Sequence, residues 1–168
     1  MRLMNFNFGS SVEIAIGERD VKLNTYEKYY DLHNCFDWEG FFFWPEERRL
    51  QMIWRAAVGV PKFPMEGSLL DTNARKLTLE FRLVTGLAAM PRDLQMPFTE
   101  DTCLDFVTFT PSDRSTDFEN EYEGFRSNDE HLTFRFRSGT SLKIWAAEAH
   151  LLVENNDGDT VGSEEKKN

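Results

Sequence analysis

Hydrophobic side chains recur at every second position in stretch after stretch of this 168-residue chain. That period belongs to a strand with one face buried and not to a helix, whose repeat is 3.6. The clearest run is "KLTLEFRLV", where Leu77, Leu79, Phe81 and Leu83 share one face and Thr78, Glu80 and Arg82 the other. "SVEIAIG" sets Val12, Ile14 and Ile16 against Glu13, "CLDFVTFT" repeats the theme, and "HLTFRFRS" opposes Leu132, Phe134 and Phe136 to Arg135 and Arg137. Ser138, Gly139 and Thr140 supply a hairpin turn into "SLKIWAAEAHLLVE", where Leu142 and Ile144 carry the alternation onward. Aromatic residues make up 14% of the chain, which predicts a core rich in rings and strengthens the strand assignment.

Helical signals are short. "NTYEKYYDLHN" predicts two turns capped by Asn24 or Thr25, and "MPRDLQMPFTEDTC" one turn between prolines. The expected fold class is α+β: a single domain dominated by antiparallel β-sheet with one or two short helices. It is expected to span residues 1–154, followed by a disordered acidic tail over 155–168, which has no apolar pattern. Two long connections interrupt the strands, Gly59 to Arg75 with two prolines and two glycines, and the acidic Pro111 to Glu130.

The densest segment runs from Tyr29 to Ala57. "FDWEGFFFW" and "RRLQMIWRAA" predict two strands joined by "PEER", with proline at position i+1 of the turn. Leu50, Met52 and Trp54 point one way, with Gln51, Ile53 and Arg55 on the other side. Gly40 marks a bulge or a close backbone approach. The "FFFW" run, Phe41 to Trp44, is apolar on both faces, which fits either a central strand covered twice or a strand whose second face meets a partner.

Charge bounds the partner. A net charge of −10 argues against nucleic acid, which needs neutralising Lys and Arg, and fits either a basic partner or a surface whose acidity serves solubility alone. The start "MRLMNFNFGSS" lacks the apolar stretch of a signal peptide, and no window approaches the ~18 apolar residues of a membrane span. Cys35 and Cys103 are far apart with no C-x-x-C spacing, so both are expected to be reduced thiols of a cytoplasmic protein.

Catalytic signatures are thin. His33, His131 and His150 are isolated, with no metal-ligand spacing. No phosphate-binding glycine loop and no nucleophile elbow is present, so no cofactor and no metal is expected. His33 and Cys35, near Asp31 and Asp37, fit either a nucleophile pair or a backbone-bonded turn histidine beside a core cysteine. His150 and Glu148 fit a surface pair. The segment "PSDRSTDFENEYEGFRSNDE" carries seven acids against two arginines with three rings threaded through it. Charges that steer and rings that anchor are what a binder of a basic protein surface needs. Its candidate contacts are Asp113, Asp117, Phe118, Glu119, Glu121, Tyr122, Glu123, Phe125, Asp129 and Glu130. The alternative is a loop whose rings pack onto the sheet.

In layout the chain resembles small bacterial immunity proteins, which neutralise toxins made by the same or neighbouring cells. The resemblance lies in "DLHNCFDWEGFFFWPEERRLQMIW" and in the closing hairpin "LTFRFRSGTSLKIWAAEAHLLVE", and covers Asp31 to Glu154 in order. Such domains more often show Asp where this chain has Asn34, and the aromatic run is heavier here. It implies a non-enzymatic protein-binding module that folds in the cytoplasm and occludes a toxin. An acidic inhibitor suits a nuclease toxin, whose site is basic because its substrate is anionic. Two other functions stay open: an enzyme or small-ligand binder with a pocket near His33 and Cys35, and a structural or assembly subunit using "FFFW" as its contact.

Overall fold

The computed structural model describes residues 13–16, 21–24, 29–58, 73–110, 131–156 and 160–162; for 13–16, 21–24, 29, 106, 108–110, 131 and 160–162 it describes the backbone alone. Twelve strands form among these residues, and every pairing is antiparallel. They are β1 (Glu13–Ile16), β2 (Val21–Asn24), β3 (Tyr29–Asp31), β4 (Phe36–Trp44), β5 (Arg49–Ala56) and β6 (Ala74–Arg82). The remainder are β7 (Gly86–Met90), β8 (Leu104–Thr110), β9 (His131–Phe136), β10 (Ser141–Trp145), β11 (Glu148–Asn155) and β12 (Thr160–Gly162). They build a five-stranded sheet in the order β12-β11-β6-β5-β4, a four-stranded sheet β7-β10-β9-β8 and a small sheet β1-β2-β3, whose first two strands lie against β8.

The two larger sheets close on one core. From the five-stranded sheet come the rows Leu50-Phe81-Ala149, Met52-Leu79-Leu151 and Trp54-Leu77-Val153, all buried. Leu104, Val107, Leu132, Phe134, Phe136, Leu142 and Ile144 answer from the other sheet. Rings join the layers: Phe134 meets Phe81 edge-on at 6.1 Å and lies 6.2 Å from Trp54, while Trp38 stacks on Phe136 at 4.1 Å. This is the geometry of facing sheets whose inner side chains interdigitate.

Local chemistry explains the turns. Gly40 has φ 138 at a bulge in the β4–β5 pairing, a conformation open chiefly to glycine. In the β9–β10 turn Gly139 has φ 86, and an added Cβ would lie 3.3 Å from the Asp93 nitrogen. Arg48 and Leu83 are the two non-glycine residues with left-handed φ, 48 and 53, among those described. They meet at one corner, where the Val84 N–H donates to the Arg48 carbonyl and the Arg48 guanidinium donates back to the Val84 carbonyl.

Several expectations are corrected. No helix forms among the described residues of the expected 24–34 segment: Asn24 ends β2 and Tyr29–Asp31 form β3, because pairing onto β2 competes better than two isolated helical turns. Between Pro91 and Pro97 the expected single turn is present, closed by the Met96 N–H donating to the Asp93 carbonyl, and a further 3₁₀ turn follows at Phe98–Glu100. Leu83 is 47% exposed, since β6 stops at Arg82 and the chain turns there. Thr78 and Glu80, placed by alternation on the outer face, are nonetheless buried. Arg48 donates its N–H to the Pro45 carbonyl, which puts Pro45 at position i of the turn and not i+1. "SLKIWAAEAHLLVE" is not one strand: it breaks at Ala146 and Ala147, and β10 and β11 enter different sheets. Within the expected tail, Asn155 ends β11 and Thr160–Gly162 pair with it as β12.

Candidate functional site

Polar and aromatic side chains cross the outer face of the five-stranded sheet in register. One row runs Phe42, Gln51, Glu80, His150 across β4, β5, β6 and β11. Trp44 pairs with Arg49, Ile53 with Thr78 and Thr78 with Leu152, and Arg82 with Glu148. β4 is the edge strand of this sheet. On its inner face Phe36, Trp38 and Phe41 pack on the core and Phe43, in register with Leu50, is 36% exposed, whereas Phe42 on the outer face is 57% exposed. The rings are ordered by neighbours: Phe42 stacks on Trp44 at 6.0 Å, and the Arg49 guanidinium lies 4.2 Å over the Trp44 ring. The "FFFW" run is thus neither central nor covered on both faces.

Behind this aromatic edge sits Glu80, 5% exposed. Its carboxylate accepts from Gln51 Nε2 at 2.6 Å and Arg82 Nε at 2.7 Å, with Arg49 Nη1 at 3.5 Å. Burial alone would raise the carboxyl; the hydrogen bonds from Gln51 and Arg82 and the charges of Arg82 and Arg49 outweigh it and hold it below its ordinary value. Alternation placed Glu80 on this face. That it would be covered follows from long neighbours on both flanking strands, which a single-strand pattern does not contain.

His33 lies in a turn. Asp31 Oδ1 accepts from the backbone N–H groups of His33 and Asn34, and its other oxygen from Asn34 Nδ2, so Asp31 shapes the turn and does not orient the imidazole. Asp37 instead accepts from the Thr102 hydroxyl. His33 Nδ1 donates to the Leu104 carbonyl at 2.5 Å. The sulfur near this nitrogen, at 3.9 Å, belongs to Cys103, not Cys35. A nitrogen already donating to a carbonyl has no lone pair to take a thiol proton. Burial, helped by Asp31, pushes the Cys35 thiol up, and burial pushes Cys103 up against the opposing pull of Arg137. Neither is set up as a thiolate nucleophile. Both are half-buried free thiols, so thiol titration of the unfolded, unreduced protein is expected to find two groups. Finding none, with a mass lower by two hydrogens, would overturn that assignment.

His150 Nε2 lies 3.2 Å from Glu148 Oε2 at the partly exposed surface, the pairing expected of them. Among the described residues no three His, Cys, Asp or Glu side chains converge as a metal set, and no helix is long and apolar enough to cross a membrane. The candidate contacts from Asp113 to Glu130 lie outside the described residues. Two features went unread in the sequence. Lys143 is fully buried and engaged by a partner group, in a strand whose alternation marked only Leu142 and Ile144. Leu94 and Phe98 stand exposed in the β7–β8 connection, with Arg92 stacked 4.3 Å over the Phe98 ring.

Compared with protein-family models, with curated proteins and with solved structures, the chain matches none.

Proposed function

We propose that this chain is a protein-binding module, an immunity-type inhibitor that acts in the bacterial cytoplasm by occluding a cognate toxin with a basic surface. The observation that carries this reading is the aromatic edge: Phe42 stays exposed beside Trp44 and Arg49 on one face of β4, and Phe43 on the other, in a chain of net charge −10. Aromatic and arginine side chains are the residue types that anchor protein interfaces, and contiguous apolar surface is seldom left open without use. The acids and rings of Asp113 to Glu130 supply the steering charge the same reading needs. At His33 the donated Nδ1 proton and the raised thiols give the enzyme alternative no support.

Co-expression with the product of the neighbouring gene tests the proposal. The expected result is a growth-arresting product whose toxicity is abolished, with a stable complex recovered. A product that stays toxic beside this protein, or is harmless alone, would overturn it. Within such a complex, charge reversal at Glu119, Glu121 and Glu123 is expected to slow association and flatten its salt dependence, because those charges act over ~8–10 Å at physiological ionic strength. Tyr122→Ala is expected to speed dissociation instead, as loss of a ring anchor does.

A further inference from the structure

We propose that β4 takes up an added strand from the partner: an extended segment with an apolar centre and basic flanks. The inference deepens the protein-binding reading above and rests on it. An edge strand presents unpaired N–H and C=O groups, and proteins normally protect such edges with charge, proline or a covering segment. Among the described residues the edge is closed at one end only. The Trp38 N–H donates to the Thr102 carbonyl at 2.8 Å, and among the described residues no other backbone group of β4 bonds outside the strand ladder or its own turn. From Gly40 to Trp44 the edge carries Gly-Phe-Phe-Phe-Trp, with no charge and no proline until Pro45. That length is about 16 Å of strand, room for four or five residues of a partner. Main-chain bonds would supply affinity, and the rings on both faces would select alternate side chains.

Charge selects the occupant. Every charged residue from Phe36 to Glu47 is acidic: Asp37 and Glu39 on one side of the aromatic run, Glu46 and Glu47 on the other. Glu39 pairs with Arg55 and Glu47 with Arg49, whereas Asp37 and Glu46 enter no ion pair among the described residues. A strand with basic residues beyond an apolar centre would meet these acids at both ends. A second copy of the chain fits badly. Antiparallel pairing of two copies over Gly40–Trp44 would bring the Asp37 and Glu39 end of each strand toward the Glu46 and Glu47 turn of the other, acid against acid. Like charges facing each other across a ladder are destabilising.

The test uses the full chain and a synthetic peptide of alternating valine and threonine with lysine at both ends, beside a twin with glutamate ends. Amide hydrogen exchange is read residue by residue by NMR. Saturating lysine-flanked peptide is expected to slow exchange of outward-facing amides within Gly40–Trp44 by about tenfold or more, as occluded strand amides do. The glutamate twin is expected to bind about tenfold more weakly at low salt, a gap that closes as salt rises. Phe42→Lys, at an exposed position, should weaken the peptide about tenfold while leaving the melting temperature near wild type. Glu46→Lys, which leaves the rings intact, should narrow the preference between the twins. Unchanged exchange across Gly40–Trp44, or equal binding of the twins, would overturn the proposal. So would a concentration-dependent dimer in sedimentation that Phe42→Lys abolishes, which would assign the edge to a second copy. If the neighbouring-gene product binds and Phe42→Lys leaves that complex intact, strand addition fails while the inhibitor reading stands. If that product does not bind but the peptide protects the edge, the inhibitor reading fails and the edge site stands.

Discussion

Phe81→Ala is expected to lower the unfolding free energy by about 3–5 kcal/mol, the range for deleting a buried ring from a packed core. Phe81 is fully buried in β6, with β5 and β11 paired on either side of that strand. Its row neighbours are Leu50 and the small Ala149, and its ring meets the edge of Phe134 from the facing sheet. A ring removed from between two sheets leaves a void that neither sheet can close without disturbing Trp54, which also lies against Phe134. Leu83→Ala is the control. By alternation it belongs to the same face, yet it is 47% exposed, so its loss is expected to fall within about 0.5 kcal/mol. Denaturant unfolding of the two variants decides the matter. A Phe81→Ala cost under about 1 kcal/mol would mean that β6 is misplaced, and a Leu83→Ala cost rivalling it would mean that the strand continues past Arg82.

That contrast marks where sequence reasoning succeeds. Alternation is a local property, and a strand with one face on the core leaves it in the sequence whatever its partner. Leu77, Leu79 and Phe81, Leu50, Met52 and Trp54, and Leu132, Phe134 and Phe136 were all legible for this reason, and all are buried. The Gly40 bulge and the Gly139 turn were legible because few residues other than glycine hold those backbone angles. Strand ends were not. Leu83 continues the apolar pattern, but its left-handed φ turns the chain toward the second sheet. Ala146 and Ala147 carry no turn signal, yet the chain changes sheets there, since small residues pass a corner without declaring it. The helix expected over 24–34 failed because tyrosines serve a strand as well as a helix, and pairing of β3 with β2 settles the choice.

The candidate site divides in the same way. An aromatic run apolar on both faces was visible as a possible contact, because such a strand must be covered twice or bind something. Only the sheet order puts it at an edge. The approach of Cys103 to His33 spans 70 residues of sequence, and no spacing rule announces it. Burial of Glu80 likewise depends on Gln51 and Arg49 from β5 closing over a β6 residue.

Glu80 gives the second large effect, and its sign can be worked out. The folded carboxyl lies below its ordinary value, so between the two values the unfolded chain binds more protons than the folded one, and stability rises with pH. The contribution is fully present above the unfolded value of about 4.3 and is lost as pH falls below it through the depressed folded value. Glu80→Gln keeps an acceptor oxygen but removes the charge that Arg82 and Arg49 face. Arg82 is more than half exposed, so solvent screens part of that attraction, while the nearly buried carboxylate and its charged hydrogen bonds keep the rest. The variant is expected to lose about 1–2 kcal/mol at pH 7. Glu154, held below its ordinary value by its hydrogen bond to Lys76, titrates in the same acid range, so the quantity to follow is the difference between wild type and variant and not either curve alone. That difference, from denaturant unfolding at stepped pH, should stay level from about pH 7 to 5 and then shrink toward zero in more acid solution. A difference that holds constant down to about pH 3 would show that Glu80 carries no charge-dependent part of the stability, and that its carboxylate is covered without being bound.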